Sequence, residues 1–413
     1  LLAPAAIPAW CKSTEGCPVA PQTGVQPCAG DVNRMLERGA RNRLYENGPT
    51  MPKLGRGCPS TGSVDASAPC SIVKSIAWAE SVGTQFCTDG CGKSGQTLIS
   101  FDCGYGIMQV TTGMSGGAGF EPMRVAKEPQ YNVGAGMKIL FDKWRTTPCV
   151  GDNQPTRLEH WYFATWAYNG YGWVNNPNNP RYPAWPRPPF NGPGTLSRDS
   201  YPYQEKVWGW VRHPPGTPRR WDPIEVSYPD PAEICNVASC RHGANVSDAL
   251  PAHTDPCQTA APLDAAELLS QAPANPVVAH VGDPVSMRWT LKNVGDTVWS
   301  RAGGYALKRT GGDLQDAPSA VELPATGRYL GEDVVELEVQ VVAPASGPRQ
   351  ARYRLHQANE AFGPELTLLL NVSTETDVDG DSALFVTPGP DGALLVADTL
   401  WPFRTGAGNL RGA

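Results

Sequence analysis

The sequence predicts a multidomain protein in which a mainly helical region precedes an all-β sandwich. Between about residues 70 and 212, apolar residues recur three or four positions apart, as they do on one face of a helix. From about residue 274 to residue 372, apolar and polar residues alternate in short runs separated by turns, which is typical of antiparallel strands. A chain of 413 residues is long enough for two or three domains.

The changes of pattern divide the chain into five segments. We expect a cysteine-containing N-terminal extension to pack on the helical domain, a Pro/Cys-rich linker to follow that domain, and a tail to follow the sandwich. In order, the five segments are residues 1–69, 70–212, 213–265, 266–374 and 375–413.

Composition excludes several classes of function. The net charge is −6 and the chain has no basic run, so nucleic acid is not an expected partner. No stretch of 18 apolar residues is present, so no transmembrane span is predicted. We expect a monomer.

The 12 cysteines all lie between Cys11 and Cys257. An even number confined to one part of the chain favours disulfides and an extracytoplasmic protein, whether secreted, at the cell surface or in the periplasm. The first residue, Leu1, fits a chain from which a signal peptide has been removed. A zinc site formed by Cys87, Cys91 and Cys103 is the alternative, although no C-x2-C pair accompanies them. The pairing of the cysteines is left open.

A carboxylate interrupts the apolar face of the first predicted helix, which begins near Cys70. Ile72 and Ile76 lie four residues apart, and the next position on that face is Glu80. Burial disfavours the charged form of a carboxyl and raises its pKa, which suits a general acid. The alternative is that Glu80 caps the helix or pairs with an arginine.

Three further segments accompany this helix. A glycine-spaced stretch carries one amide, Gln109, which can hydrogen-bond a polar ligand in a groove. An amphipathic helix is predicted around Val133–Trp144, and a third helix around Leu158–Tyr168 ends in Asn169-Gly170.

Four motifs in this region resemble, in the same order, those of soluble lytic transglycosylases and goose-type lysozymes. The resemblance covers about a third of the chain and implies a lysozyme-like catalytic domain. A late tyrosine, Tyr203, also fits, whereas Cys103-Gly104 departs from the Gly-Ala that the family prefers. The motifs are Glu80-Ser81, Ser100-Phe-Asp-Cys-Gly-Tyr-Gly-Ile-Met-Gln109, Asn132-Val-Gly-Ala-Gly-Met-Lys-Ile-Leu140 and Ala167-Tyr-Asn-Gly-Tyr171.

The resemblance also implies a function. Glu80 would protonate the β-1,4 glycosidic oxygen between N-acetylmuramic acid and N-acetylglucosamine in peptidoglycan, whose glycan strands would be the partner. Ser100 and Gln109 would contact the sugar, Tyr168 would hydrogen-bond and orient Glu80, and Asn169 would be a further sugar contact. No cofactor and no metal are implied.

The second carboxylate of an ordinary glycosidase is hard to find near Glu80. Asp102 is a candidate because it lies two residues after Ser100. We therefore expect Glu80 to act twice in a non-hydrolytic lytic transglycosylation, with lysozyme-type hydrolysis as the alternative. A catalytically inactive wall-binding surface protein and a chitin-cleaving enzyme are the other hypotheses.

The β region resembles the immunoglobulin-like domain called the four-tryptophan domain. The match includes Trp289-Thr-Leu-Lys-Asn-Val-Gly-Asp-Thr-Val-Trp299, Tyr353-Arg-Leu and Phe362-Gly-Pro, and it implies a spacer or wall-docking module. In the tail, Asp377-Val-Asp-Gly-Asp381 resembles the start of a calcium loop, but Pro388 stands at the twelfth position where such a loop has a glutamate.

Overall fold

The computed structural model of the chain describes residues 16–237, 244–374, 384–388 and 394–398. It divides into two compact units. The first consists of Leu1–Ala265 with two short segments, Asn293–Val298 and Tyr329–Asp333, and the second contains the remaining residues from Ala266 onward. The calcium-loop resemblance at 377–381 lies outside the described residues.

The first unit combines seven helices with short strands. Strands β1, β5 and β4 form a three-stranded antiparallel sheet, and β2 pairs with β3. The helices are α1 (Ala29–Ala40), α2 (Cys70–Ser81), α3 (Pro122–Lys127), α4 (Pro129–Thr146), α5 (Tyr162–Tyr168), α6 (Tyr203–Arg212) and α7 (Pro256–Thr259), and the strands are β1 (Thr23–Val25), β2 (Leu54–Arg56), β3 (Gly62–Val64), β4 (Phe86–Cys87) and β5 (Ser94–Thr97).

Helix α4 lies in the core of this unit. The apolar positions that recur at helical spacing along α4 are buried, and the helix packs against α1 and α5. Within the helix, Gly136 is required because a Cβ there would lie 2.4 Å from the Cβ of Met108 and 3.0 Å from the Tyr168 hydroxyl. The buried apolar positions of α4 include Val133, Met137, Leu140, Phe141 and Trp144.

Helix α2 ends at Ser81, one residue after Glu80. Val82 adopts the left-handed conformation (φ 59°), its N–H donates to the Trp78 carbonyl, and the Gly83 N–H donates to the Ala77 carbonyl. Ile72 and Ile76 are fully buried, so the predicted apolar face is correct. Glu80 therefore lies in the last turn of α2, at the end of the face that enters the core.

Disulfides link distant parts of the first unit. They join Cys17 to Cys103, Cys28 to Cys91, Cys58 to Cys149 and Cys70 to Cys257. Cys87 and Cys235 are also disulfide-bonded. Because Cys91 and Cys103 pair with different cysteines, the zinc alternative for these residues is wrong.

The second unit is built from antiparallel strands with one parallel pair. One sheet has the order β11-β10-β14-β15-β7, a second has the order β13-β8-β6, and β12 pairs with β9. Only β15 and β7 run parallel among the described pairs. The strands are β6 (Ala266–Ala272), β7 (Val277–His280), β8 (Pro284–Asn293), β9 (Trp299–Ser300), β10 (Tyr305–Gly312), β11 (Ala320–Glu322), β12 (Arg328–Tyr329), β13 (Val334–Val342), β14 (Gly347–Gln357) and β15 (Glu360–Ser373), and farther on β16 (Leu384–Pro388) pairs with β17 (Leu394–Asp398).

Alternating burial builds the core of the second unit. Along β8 the buried residues include Val285, Met287, Trp289 and Leu291, with exposed or half-buried residues between them. The Trp289 ring packs on Tyr353 of β14, with 5.7 Å between the ring centroids, so the two sheets contact each other through their apolar faces.

The predicted fold class, a mainly α lysozyme-like domain plus an immunoglobulin-like sandwich, is wrong. The described ranges contain seven α-helices of only 4 to 18 residues against seventeen strands, so the protein is β-rich. Helical periodicity led to an overestimate of the helical content, because it does not show where a helix ends. The third predicted helix, for example, begins as a 3-10 turn at Glu159–Trp161 and continues as the seven residues of α5.

Candidate functional site

Glu80 is held by a tyrosine from a distant part of the chain. The Tyr203 hydroxyl, at the first turn of α6, donates a hydrogen bond of 2.5 Å to Glu80 Oε1. Tyr203 is buried, and Glu80 as a whole residue is half-buried. The packing of α2 against α6 brings the two residues together.

The surroundings of Glu80 favour its protonated form. Burial, and to a smaller extent the negative charge of Asp102, raise the pKa of Glu80, which is about 7 in the folded protein. Hydrogen bonds from Tyr203 and Asn169 and the positive charge of Arg198 act in the opposite direction. A carboxyl with a pKa near neutrality can both give and take a proton at physiological pH.

Ser100 and Gln109 flank one glycine in the loop after β5. A Cβ on Gly104 would lie 2.8 Å from Ser100 Oγ and 2.9 Å from Gln109 Oε1, so glycine is needed to bring the two side chains close together. The Gly104 N–H donates to Ser100 Oγ (2.9 Å), and Gln109 Nε2 donates to the Gly106 carbonyl (2.8 Å). Both side chains are partly exposed and hence accessible to a ligand.

Tyr168 and Asn169 lie at the C-terminal end of α5. The Tyr168 hydroxyl donates to the Met108 carbonyl (2.7 Å), and burial together with the charge of Glu80 raises the pKa of Tyr168. Asn169 makes a side-chain hydrogen bond with Glu80, and its Oδ1 accepts one from Asn175 Nδ2 (3.2 Å). The hydrogen bond to Glu80 that was expected from Tyr168 therefore comes from Tyr203.

Asp102 lies at the exposed edge of the same loop. Its Oδ1 accepts a hydrogen bond of 2.5 Å from Ser100 Oγ. The structure thus brings together all six residues that the sequence singled out. Glu80 interacts directly with Asn169, and the charge of Asp102 raises the pKa of Glu80. The charge of Glu80 in turn raises the pKa of Tyr168. Ser100 and Gln109 both lie against Gly104.

The sequence predicted no role at the site for two of its residues. Tyr203 was noted only as a motif match, and Arg198 was not noted. Arg198 Nη2 donates to the Ala79 carbonyl (3.4 Å), directly beside Glu80. No local signal predicts this contact, because Arg198 lies in a segment of little regular structure more than 100 residues from α2.

Two groups of potential metal ligands occur among the described residues. In one, Cys70 and Cys257 form a disulfide beside Asp255. In the other, His160 Nδ1 accepts a hydrogen bond from the Gln154 N–H and Nε2 contacts Asp248 Oδ1, both at 2.7 Å. These contacts occupy both nitrogens of the imidazole, which has structural roles.

The disulfides indicate an extracellular protein, because such bonds persist in oxidising compartments. No helix within the described ranges combines the length and the apolar character that crossing a bilayer requires.

Comparison with known proteins identifies no family. No protein-family model and no curated protein match the chain. Solved structures that match include the CARDB domain of a Pyrococcus furiosus protein (11% identity, 27% of this chain and 100% of that chain, TM-score 0.21). Others are a C. elegans member of the MSP family (11%, 25% and 96%, TM-score 0.17) and domains 5–6 of the S-layer protein SbsC (17%, 30% and 51%, TM-score 0.18).

These findings contradict the family prediction. None of these three solved structures is a lysozyme-like or lytic transglycosylase domain, and the described chain is β-rich. The four sequence motifs are short, and each fixes only a local turn or helix face. Their common order was therefore insufficient to identify a family, and TM-scores this low carry no argument about function. The geometry around Glu80 is the remaining guide to function.

Proposed function

We propose that this extracellular protein acts on glycan strands of the bacterial cell wall and that Glu80 is the general acid that cleaves a glycosidic bond in them. The observation that supports this proposal best is the environment of Glu80. Its carboxyl is held by Tyr203 at 2.5 Å and has a pKa raised by burial to about 7.

The chemistry needs a proton donor beside the leaving oxygen. Protonated Glu80 gives its proton to the glycosidic oxygen as the bond to C1 breaks, and the N-acetyl group of the substrate stabilises the positive charge at C1. The Tyr203 hydroxyl then stabilises the carboxylate that Glu80 has become. Ser100 and Gln109, with accessible polar atoms at Gly104, are the proposed sugar contacts.

The second half of the reaction depends on a base. Asp102 is exposed and accepts a hydrogen bond from Ser100, and the described residues around Glu80 include no other carboxylate whose charge acts on it. We therefore assign the second step to Glu80, which takes the proton from the C6 hydroxyl as that oxygen bonds to C1. The product is a 1,6-anhydro sugar, and no water is consumed.

The second candidate is a surface protein that binds the wall without cleaving it. The second unit favours this function, because it is a β unit without cysteine whose two sheets contact face to face, an architecture common among cell-surface binding modules. In this case the residues around Glu80 would hold a sugar and perform no chemistry.

Digestion of purified peptidoglycan separates these functions. Wild-type protein should lower the turbidity of the suspension, and Glu80→Gln should lose at least about 10²-fold in rate while still sedimenting with the walls, since general acid catalysis is typically worth 10²–10⁴-fold. Glu121→Gln, an exposed carboxyl elsewhere on the same unit, is the matched control.

The released muropeptides, analysed by mass spectrometry in H₂¹⁸O, identify the product. Anhydro ends without label support the non-hydrolytic route. Labelled reducing ends would instead indicate hydrolysis with Asp102 as the base. Wall binding with no cleavage by the wild type would support the second candidate.

A further inference from the structure

An open cleft lies between two proline-rich loops of the first unit. One wall is formed by residues within 177–185, in the long loop between α5 and α6, and the other by residues 230–232. The cleft has a volume of about 670 Å³, which is within the range of small-molecule sites in proteins. Neither wall belongs to the four motifs that resemble the lytic transglycosylases, so the resemblance assigns the cleft no role.

A buried arginine holds the longer wall in place. Arg187 forms an ion pair with Glu205 of α6, with 2.6 Å between Nη2 and Oε1, and both side chains are buried. The same guanidinium donates to the carbonyls of Pro177 (3.1 Å) and Pro183, which belong to this wall. Because separation of a buried charge from its partner is strongly unfavourable, the ion pair fixes the position of the wall.

A side-chain amide joins the two walls. Asn178 Nδ2, in the longer wall, donates to the carbonyl of Pro231 in the other wall (2.8 Å) and to the carbonyl of Ile234 (2.9 Å). These two bonds use both N–H groups of the amide. The walls therefore keep a fixed separation, and a preformed cleft avoids much of the ordering cost of binding.

One indole ring lines the cleft and remains open to a ligand. Trp185 is 36% exposed. Its ring packs against Tyr228, with 5.2 Å between the ring centroids, and the guanidinium carbon of Arg187 lies 5.5 Å from the centre of the indole. These neighbours hold the ring in one orientation, so the cleft offers a fixed aromatic surface.

Two oxygen atoms of residues that line the cleft accept no hydrogen bond from the described part of the chain. Asn178 uses its amide nitrogen to join the walls, which leaves its Oδ1 available. Asp230 accepts the Ala232 N–H at Oδ1 (2.9 Å), which leaves its Oδ2 available. The cleft thus combines an aromatic surface with hydrogen-bond acceptors, one of which belongs to a carboxylate.

We infer that this cleft binds a neutral sugar ring. A pyranose presents C–H groups on its faces and O–H donors around its edge, so a face covers the indole of Trp185 while hydroxyls donate to Asp230 and Asn178. A proline-rich peptide, which also binds aromatic grooves, has no N–H donors at its prolines to offer these oxygens. An anionic ligand is repelled by Asp230. The neutral sugar is the ligand that uses both features of the cleft.

Fluorine-labelled tryptophan provides a probe at the cleft itself. In protein that contains 5-fluorotryptophan, the ¹⁹F signal of Trp185 is identified by its absence from Trp185→Tyr. A Glu80→Gln background is used so that Glu80 cannot cleave the ligand. Chitin tetrasaccharide, cell-wall glycan strands freed of peptides by an amidase, and a proline-rich peptide are added separately. The Trp185 signal should shift with sugar and not with the peptide.

Two substitutions should weaken sugar binding. Trp185→Ala removes the aromatic surface, and Asp230→Asn replaces the free acceptor while its Oδ1 can still accept the Ala232 N–H. Each should weaken binding about tenfold, which corresponds to about 1.4 kcal/mol, by calorimetry for Trp185→Ala and by the ¹⁹F shift for Asp230→Asn. Trp185→Tyr keeps an aromatic ring and should retain most of the affinity. The controls are Met123→Ala and Asp222→Asn, which change exposed side chains outside the cleft.

The polymers identify the source of the sugar. A shift with the wall strands alone indicates a site for cell-wall glycan, a shift with the chitin tetrasaccharide alone indicates a site for chitin, and a shift with both indicates a site for their shared N-acetylglucosamine. A shift with the peptide, no shift with any sugar, or an affinity that Trp185→Ala and Asp230→Asn both leave unchanged would overturn the inference.

The inference is independent of the proposed cleavage, because none of its contacts involves Glu80. A sugar bound at Glu80 would appear in calorimetry as a second site that neither substitution affects. If Trp185 responds to sugar but the wild type cleaves no peptidoglycan, the proposed cleavage fails while the inference stands. If walls are cleaved and Trp185 does not respond, the inference alone fails.

Discussion

Replacement of Glu80 by glutamine should stabilise the protein at alkaline pH while it abolishes cleavage. Burial raises the pKa of Glu80 from 4.5 to about 7, so the folded protein holds this proton more tightly than the unfolded chain. Stability from this group is therefore fully present below pH 4.5 and is lost as the pH rises to about 7. At 1.36 kcal/mol for each pKa unit, the loss is about 3 kcal/mol above pH 7.

Glutamine keeps the shape of the side chain and can still accept the hydrogen bond from Tyr203, but it cannot ionise. At pH 8, Glu80→Gln should therefore exceed the wild type by up to about 3 kcal/mol in the free energy of unfolding of the first unit. For a unit of this size, each kcal/mol shifts Tm by about 2–4 °C. Near pH 4.5 the Tm values of the two proteins should agree within about 1 °C, which is less than the shift that a difference of 1 kcal/mol produces.

Calorimetry from pH 4.5 to pH 8 provides the measurement. The second unit serves as an internal reference, and Glu121→Gln controls for loss of an exposed carboxyl. A stability difference between Glu80→Gln and wild type that is the same at pH 5 and at pH 8 would refute the argument, because the carboxyl would then have an ordinary pKa in the folded protein.

Three other perturbations test the first unit. Tyr203→Phe removes a hydrogen bond that lowers the pKa of Glu80, so the alkaline limb of the pH–rate profile should move to higher pH; an unmoved limb would mean that the bond is absent in solution. Arg187→Met leaves Glu205 buried without its partner and should cost about 3–5 kcal/mol in chemical denaturation, whereas a value below 1 kcal/mol would show that water reaches the pair. Reduction of the disulfides should destabilise the first unit by about 2–5 kcal/mol for each bond and leave the melting of the second unit unchanged, and a single transition that shifts as a whole would contradict this.

Local periodicity was sufficient to predict the parts of the site that lie on one helix. The spacing of Ile72, Ile76 and Glu80 predicts a carboxyl at the end of a buried face, and α2 has this arrangement. The alternation along β8 likewise predicts the buried side of that strand, including Trp289. In both cases the period of the backbone alone determines which side chains share a face.

Contacts between distant segments could not be predicted in this way. Nothing in the sequence indicates why Tyr203 rather than Tyr168 should donate to Glu80, since the choice depends on how α6 packs against α2. The predicted proportion of helix to strand was wrong for a related reason. Periodicity identifies a face, whereas the ends of an element depend on turns such as the one before α5.

The stability of the site has to come from outside it, because the site itself opposes folding above pH 7. An ionised Glu80 destabilises the folded state by about 3 kcal/mol. Two disulfides hold the segments that carry Glu80 and Ser100. Cys70–Cys257 fastens the start of α2, and Cys17–Cys103 fastens the loop that carries Ser100. A bond of this kind typically contributes 2–5 kcal/mol, which is enough to offset the ionised carboxyl. The covalent links thus allow the first unit to keep a destabilising acid in a fixed position.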